Sequence, residues 1–360
     1  MTKRPPEVPP ERVRRPRYQG KNPRRFHEKY KELNPERYAA DIEKVLASGK
    51  TPAGTHRPIM VDEVLRCLRP MPGETAVDCT LGGGGHARAI LERLQPGGRL
   101  IALDMDPFEL PRAEAALRAA GFGPATFTVH QANFAGLPQV LAAEGLATVD
   151  VIMADLGVSS MQLDNPDRGF NYKEPGPLDM RMNPSRGEPA SQLLMRVSEG
   201  KLADLLRDNA DEPRADFIAR LLKDKPVATT HALESLVRLG LGAMNASLTK
   251  AEIKLSVRRT FQALRIAVND ELAVLDALLR ALPHSLGPGG RVAILTFHSG
   301  EDRRVKKAFQ AGHRAGIYSA IATDVIRSTT GELHANRRAQ AAKLRWAIRS
   351  ESPWSSGRPG

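Results

Sequence analysis

Short apolar runs recur along the middle of the chain, and three of them end on an acidic residue, at Asp78, Asp104 and Asp155. Amphipathic stretches that fit helices separate these runs, as at Ala87–Leu94 and Pro107–Ala120. Because strand and helix alternate, the pattern predicts an α/β fold with a Rossmann-like, doubly wound parallel sheet. In such a sheet a ligand binds beyond the carboxyl ends of the strands. The three carboxylates are therefore expected to lie together at one edge.

Other parts of the chain fit the same fold. Further strands are predicted at Ala125–His130, Arg291–His298 and Lys343–Ile348. A helix at Val61–Leu68 is predicted before the first strand. A basic helix is predicted after His298, with Ser299 or Asp302 as its N-cap, since both residue types accept amide hydrogens there.

The alternation stops between Ser159 and about Lys250, where the sequence predicts helices and no strand. The helical stretches are Ala190–Arg207, Arg214–Lys223 and His231–Leu239. The loop at 164–187 is too long and too rich in charged and aromatic residues for a plain connector. This region is therefore predicted to be an inserted all-helical substrate domain. After it, apolar residues at helical spacing predict one long helix from about Glu252 to Leu282.

Four consecutive glycines, Gly82–Gly85, follow the first predicted strand. Glycine permits positive φ and lets a ligand approach the backbone, and the amides at the start of the next helix bind anionic groups. Asp104 lies about 20 residues further on, where a carboxylate can accept both hydroxyls of a ribose. Together these features predict a nucleotide-like ligand.

The glycines and the acidic strand end fit S-adenosylmethionine (SAM), NAD, or a tight turn without a ligand. Three details favour SAM: Asp78 stands where an acid can face the amino group of methionine, a strict G-x-G-x-x-G is absent, and Asp155 ends a third run, beside the expected position of the reacting methyl. Phe134 falls at the same edge, where it either stacks on adenine or belongs to the core.

The chain has 360 residues, 41% of them apolar, and a net charge of +12 that indicates an anionic partner. Residues 1–50 hold 14 Lys/Arg against 7 Asp/Glu, and their Pro- and Arg-rich start predicts a basic, largely disordered N-terminal extension. The other predicted units are an α/β domain at 51–158 and 251–350, the helical insert at 159–250 and a flexible tail at 351–360.

The composition also indicates the cellular compartment in which the protein is expected. The two cysteines, Cys67 and Cys79, offer neither a disulfide framework nor zinc spacing, which fits a reducing compartment. No apolar stretch is long enough to span a bilayer, and the start of the chain has no signal-peptide core. A cytoplasmic protein is expected, without membrane or metal.

Several motifs resemble one known family, the RsmH (MraW) family of bacterial SAM-dependent methyltransferases. The motifs are Asp78-Cys-Thr-Leu-Gly-Gly-Gly-Gly-His86, Ala154-Asp-Leu-Gly-Val-Ser-Ser-Met-Gln-Leu-Asp164, Arg168-Gly-Phe170, Gly176-Pro-Leu-Asp-Met-Arg-Met182, Arg259-Thr-Phe-Gln-Ala-Leu-Arg-Ile266 and Phe297-His-Ser299 with Glu301-Asp-Arg303. The resemblance runs from about His56 to Arg349 and leaves residues 1–50 unexplained. The chain departs from the family pattern at Gly300, at Asn171 and in Asn336–Ala342, which lacks a usual proline.

The resemblance implies a SAM-methyltransferase sheet interrupted by a helical substrate domain. It also implies transfer of a methyl group to the exocyclic N4 of a cytidine in small-subunit ribosomal RNA. The expected SAM contacts are Gly84, Gly85, His86, Asp104, Phe134, Asp155 and Gln162. Asp155 is the candidate catalytic residue, either as proton acceptor or as a SAM ligand only.

A target base in such a pocket has to be unpaired or flipped out, and aromatics and arginines bind RNA of this kind. The candidate substrate contacts are Phe170, Tyr172, Asp179, Arg181, Arg265 and His298. The alternative for His298 is a core histidine. The expected partner is ribosomal RNA or the small ribosomal subunit. The oligomeric state stays open, with a homodimer as one option, and a non-catalytic RNA-binding module is the competing function.

Overall fold

The computed structural model describes residues 58–245 and 247–351. The predicted N-terminal extension at 1–50 and almost all of the predicted tail lie outside the described residues. None of the described helices is long and apolar enough to cross a membrane.

Seven strands form one sheet in the order β3-β2-β1-β4-β5-β7-β6. The strands are β1 Thr75–Asp78, β2 Arg99–Asp104, β3 Phe127–Gln131, β4 Val149–Asp155, β5 Leu286–Thr296, β6 Tyr318–Ile321 and β7 Lys343–Arg349. Strands β1 to β5 pair in parallel, which confirms the α/β, doubly wound architecture.

Two features of the sheet differ from the sequence-based expectation of an all-parallel sheet. Strand β7 runs antiparallel to both β5 and β6. Strand β6 was not predicted, because it has four residues of which only Tyr318 is buried, too short a pattern to show alternation.

Helices cover both faces of the sheet and form the insert. In chain order they are α1 Val61–Leu68, α2 Gly85–Leu94, α3 Glu109–Ala119, α4 Leu137–Ala143, α5 Ser160–Asp164, α6 Ala190–Arg196, α7 Glu199–Ala210, α8 Ala215–Leu222, α9 Thr230–Met244, α10 Lys250–Asn269, α11 Glu271–Ser285, α12 Ser299–Arg314 and α13 Thr330–Ala335. Strands β4 and β5 are neighbours, with Asp155 opposite Leu295, although helices α5 to α11 separate them in sequence. The insert therefore leaves the sheet at the edge where the acidic strand ends lie.

The prediction of one long helix is wrong, because this segment forms two helices, α10 and α11. Asp270 separates α10 from α11 and adopts a left-handed conformation, with φ 50° and ψ 33°. Its amide still bonds to Ile266, so the residue ends α10 as a C-cap and turns the chain. Apolar residues continue at helical spacing on both sides, which is why the pattern conceals the break.

The N-cap predicted for α12 is also wrong. Neither Ser299 nor Asp302 caps the helix: Asp302 forms ion pairs with Lys343 and Arg345. Instead the Glu301 carboxylate folds back to accept the amides of Phe297 at 2.8 Å and His298 at 3.3 Å. The end of β5 and the start of α12 are thereby tied to one carboxylate.

The helical insert has a hydrophobic core of its own. It contains Leu202 and Leu206 of α7 and Leu233 of α9, together with Val257 and Leu264 of α10. The core thus continues through α10, beyond the boundary at 250 that was predicted for the insert. The residues of α10 fit there because Ile253, Val257, Phe261 and Leu264 repeat at helical spacing.

Candidate active site

The three acidic strand ends meet at the loop that follows β1. Asp104 Oδ2 accepts the amide of Gly82 at 2.8 Å. Thr80 donates its amide to Asp78 Oδ1 at 3.0 Å, and its hydroxyl oxygen accepts the amide of Asp155 at 2.6 Å. This confirms the sequence-based expectation that the carboxyl ends of β1, β2 and β4 form one edge.

The glycine loop leaves open space on one side and packs closely on the other. A Cβ at Gly83 would meet no atom within 4 Å, whereas one at Gly85 would lie 2.7 Å from Pro58. Gly84 adopts a left-handed φ of 79° as the N-cap of α2 and offers no side-chain cap. The first amides of α2 are therefore available to an anionic group, as a cofactor loop requires.

Asp78 is a buried carboxyl group and Asp155 a partly exposed one, and both lack a full set of partners. Asp78 Oδ2 and Asp155 Oδ1 have no hydrogen-bond partner among the described residues. Burial raises the pKa of Asp78 to about 6. Burial also raises the pKa of Asp155 to about 7, and the Glu301 carboxylate adds to this. Buried oxygens without partners are costly, so they fit a ligand that brings a positive charge or a donor.

His86 closes the site between the glycine loop and β4. Its side chain is 7% exposed, and Nε2 lies 2.9 Å from the carbonyl oxygen of Ile59. Burial lowers its pKa below the ordinary value for histidine. A neutral imidazole that donates from Nε2 turns its Nδ1 lone pair toward Asp155 Oδ2, 3.7 Å away. His86 therefore positions the loop beside Asp155.

Asp104 holds the backbone on both sides of the cofactor edge. Besides Gly82, it accepts the amide of Asp106 at 2.9 Å through Oδ1. Each carboxylate oxygen retains a second lone pair, which is what contact with two ribose hydroxyls requires. The arrangement fits the predicted role of Asp104.

Phe134 lies half-buried in a short 3₁₀ turn after β3 and lines a small cavity. The other residues lining it are Met105, Asn133, Leu156, Gly157, Met182, Asn269, Glu271, Val274, Leu275 and Glu301. The cavity joins the ends of β2 to β4 to the start of α11. An aromatic ring on this wall fits the predicted contact with adenine.

Gln162 is buried and bonded within the protein. Its Nε2 donates to Asp106 Oδ2 at 2.7 Å, while its Oε1 accepts the amide of Ser159 at 2.8 Å. The side chain therefore reaches the cofactor edge through Asp106. The predicted direct contact with SAM stays a prediction.

Arg168 is a further candidate site residue, which was not among the residues predicted from the sequence. It is 8% exposed, donates to Asp106 Oδ2 at 2.7 Å, and also donates to the carbonyls of Arg181 at 3.1 Å and Met182 at 2.8 Å. One guanidinium thus links the loop after β2 to the substrate loop. The signal in the sequence is the second acid after β2 together with the Arg168-Gly-Phe170 motif.

We predict that Arg168→Met lowers the free energy of unfolding by about 3–5 kcal/mol, because it removes the ion-pair partner of the buried Asp106 carboxylate and leaves it with neutral donors from Gln162, Phe108 and Glu109. Urea denaturation measures the change. Arg196→Met is the matched control, since Arg196 pairs with Glu188 on the surface and is 65% exposed. If the two variants unfold at the same urea concentration, the buried link does not stabilise the fold.

The predicted substrate residues divide into accessible and buried groups. Phe170 is 6% exposed in the insert core, so its ring offers little surface to a base in this conformation, and its contact with substrate stays a prediction. Tyr172 is half-buried and packs on Phe261 with ring centroids 5.0 Å apart. Asp179 and Arg181 form a two-bond ion pair at 2.7 and 2.8 Å that leaves both side chains about one-fifth exposed.

The last two candidates lie beyond β5. Arg265 makes two bonds to Glu271, at 2.8 and 2.9 Å, and is 19% exposed. His298 is 8% exposed and lies beside Glu301, with Nε2 3.2 Å from Oε1. Both residues therefore face acids of the protein at the wall of the cavity that Phe134 lines.

Comparison with known proteins gives consistent matches. Ribosomal RNA small subunit methyltransferase H 2 of Alkaliphilus metalliredigens is 47% identical, over 94% of this chain and 98% of that protein. The H 1 protein of Agathobacter rectalis is also 47% identical, over 94% and 98%. The methyltransferase H of Halorhodospira halophila is 42% identical over 84% and 97%.

These alignments correct the expected limits of the resemblance. Two of them cover 94% of the chain, so they leave out fewer residues than the 50 at the N-terminus that lie outside the motif resemblance. Part of residues 1–50 therefore has counterparts in those relatives.

A family model described as the MraW methylase family matches residues 53–350. This range contains the glycine loop, the three acidic strand ends and the whole helical insert. On both the model and the alignments, the chain belongs to the MraW methylase family.

Proposed function

We propose that the protein transfers a methyl group from SAM to the exocyclic N4 of a specific cytidine in small-subunit (16S-type) ribosomal RNA. The relatives are ribosomal RNA small subunit methyltransferases H by name. The observation that carries the proposal is the edge where Asp155, with one buried oxygen unpartnered, adjoins the glycine loop.

The residues at this edge fit the cofactor. Asp104 supplies acceptors for a ribose, Phe134 an aromatic wall, and the glycine loop open space beside uncapped amides. Asp78 supplies an unpartnered buried oxygen that fits an amino group. When bound, SAM supplies an electrophilic methyl on a positively charged sulfur.

Asp155 has the position and the chemistry to act on the target amine. The N4 lone pair of cytosine is delocalised into the ring, so an acceptor that holds an N4 hydrogen favours attack, and the proton lost needs an acceptor. The free Oδ1 of Asp155 provides both once the carboxyl is ionised. Thr80 holds the backbone amide of Asp155 in place, and the His86 ring lies beside its side chain, 3.7 Å away. Alignment of donor and acceptor supplies most of the remaining rate enhancement.

The helical insert provides the surface for the RNA. Tyr172 and the Asp179–Arg181 pair retain exposed area on the loop that Arg168 ties to the cofactor edge. We assign them to the flanking nucleotides of an unpaired or flipped cytidine. A substrate in the small ribosomal subunit implies action in the cytoplasm. A homodimer is compatible with the proposal but is not needed to complete the site described.

The proposal is tested by nucleoside mass spectrometry of ribosomal RNA from a strain that lacks the gene. Loss of N4-methylcytidine, and its return with the wild-type gene but not with an Asp155→Asn gene, is the expected result. If N4-methylcytidine persists in the deletion strain, the enzymatic assignment is wrong and a non-catalytic RNA-binding function becomes the better account. Calorimetry that shows binding of NAD and none of SAM would favour a dehydrogenase.

Residues 1–50 are proposed to bind RNA by charge, since they supply +7 of the net +12. Removing them is expected to leave SAM affinity unchanged and to weaken RNA binding at low salt. It should also flatten the slope of log affinity against log salt, because fewer counterions are released. Filter binding across a salt series measures the slope. Identical slopes for the chain starting at Thr51 and the full chain would show that the segment does not contact RNA.

A further inference from the structure

Three potential metal ligands come together where β5 ends and α11 begins. Glu271, His298 and Glu301 each place one ligand atom within 4.8 Å of the other two. Their side chains are at most 8% exposed. Bonds of about 2.0–2.2 Å to a common cation would hold such atoms roughly 3–4.4 Å apart, so only a small contraction is required.

His298 points independently to a ligand at this place. Both ring nitrogens are buried and lack a hydrogen bond among the described residues, although Nε2 lies 3.2 Å from Glu301 Oε1. A buried imidazole normally has at least one partner. The missing partner is explained if a ring nitrogen binds a cation that the carboxylates share.

The neighbouring groups orient the two carboxylates by hydrogen bonds and leave lone pairs on them free for a cation. Arg265 donates to both oxygens of Glu271, while Oε2 of Glu301 accepts the amides of Phe297 and His298. Both oxygens of Glu271 and Oε1 of Glu301 keep a lone pair, and Oε1 of Glu301 faces the imidazole. One guanidinium charge compensates two carboxylates, so a negative charge remains at the cluster.

We propose that Glu271, His298 and Glu301 form a binding site for a divalent first-row cation, with Mn²⁺ and Zn²⁺ as the metals that suit one imidazole and two carboxylates. The site lies on the wall of the cavity that Phe134 lines. It gives His298 a partner other than the target base. The assignment does not depend on the proposed methyl transfer, because it rests on the ligand atoms alone.

The test titrates Mn²⁺ into the full chain, freed of nucleic acid by nuclease and high salt, and follows the signal of free Mn²⁺ by electron paramagnetic resonance. We expect one bound Mn²⁺ per chain that Zn²⁺ displaces. His298→Ala and Glu301→Gln should each weaken binding at least about tenfold, since even outer-shell changes cost 10–100-fold. The readout needs neither SAM nor RNA, so failure here is distinguishable from failure of the proposed function.

His130→Ala is the matched control. His130 forms a 2.7 Å pair with Glu144 and belongs to no three-ligand group among the described residues, so Mn²⁺ affinity should not change. Thermal unfolding of each variant identifies loss of folding as a separate cause. Absence of Mn²⁺ and Zn²⁺ binding to the folded wild-type chain at millimolar concentration would overturn the proposal, as would wild-type affinity in folded His298→Ala.

Discussion

Replacing Asp155 with asparagine is expected to lower kcat by about 10²–10⁴-fold, the range for loss of a proton acceptor. Asparagine keeps the shape of the side chain but cannot take up the proton that the amine loses. SAM affinity should fall much less, because Asp104, Phe134 and the glycine loop remain. Single-turnover methyl transfer measures the rate, and calorimetry measures SAM binding.

Asp150→Asn provides a control on the same strand. Asp150 lies near the amino end of β4 and accepts the amide of Thr75 at 2.9 Å, away from the cofactor edge. The Asp150→Asn substitution should therefore leave kcat unchanged. If Asp155→Asn turns over normally but binds SAM weakly, Asp155 is only a cofactor ligand.

The raised pKa of Asp155 gives this prediction a pH signature. Burial favours the protonated form and raises the pKa to about 7, so the acceptor form predominates only above that pH. Wild-type turnover is therefore expected to rise from about pH 5.5 to a plateau above about pH 8, and to fall up to tenfold per pH unit below the pKa. Asp155→Asn should lose this dependence. A wild-type rate independent of pH across the range would contradict the role.

Replacing Asp104 with alanine is expected to weaken SAM binding at least about 100-fold, since bonds to a charged group contribute about 1.5–3 kcal/mol each. The substitution removes the proposed ribose contacts and also releases the amides of Gly82 and Asp106. Calorimetry at constant pH measures the affinity.

Two control measurements separate the loss of the ribose contacts from the loosening of the loop. Asp204→Ala, which removes an exposed acid paired with Arg207 on α7, should bind SAM normally. Urea unfolding of Asp104→Ala reports how much the released amides loosen the loop. Wild-type SAM affinity in folded Asp104→Ala would place the ribose elsewhere.

The sequence predicts the cofactor edge well because the signals there are local. The first helix, Val61–Leu68, has the predicted bounds, and the acidic residues at 78, 104 and 155 end their strands as expected. Each of these signals is a short apolar run followed by one polar residue. Such runs report burial directly, since parallel strands are covered on both faces.

Breaks in helices are harder to predict than helices themselves. The apolar period runs through Asp270 without interruption, and a single left-handed residue alters the direction of the chain and not the period. The burial of Phe170 was also hard to predict from the sequence. Its motif indicates importance, but only the packed insert shows that the ring is buried beneath the loop.

Side-chain networks between distant segments could not be predicted from spacing. Arg168 lies 62 residues from Asp106, and Glu271 lies 27 before His298. Their contacts arise because the insert leaves the sheet at the carboxyl end of β4, the edge at which the loop after β2 and the residues after β5 also lie. Only the topology brings these groups together.

The central claim is tested most directly by methyl transfer with purified components. Small ribosomal subunits from the deletion strain are incubated with the protein and methyl-labelled SAM, and the digested RNA is analysed by mass spectrometry. The account predicts label in N4-methylcytidine, about one per subunit, and none with Asp155→Asn in the same time. Label in a different nucleoside, or none in cytidine, would contradict it.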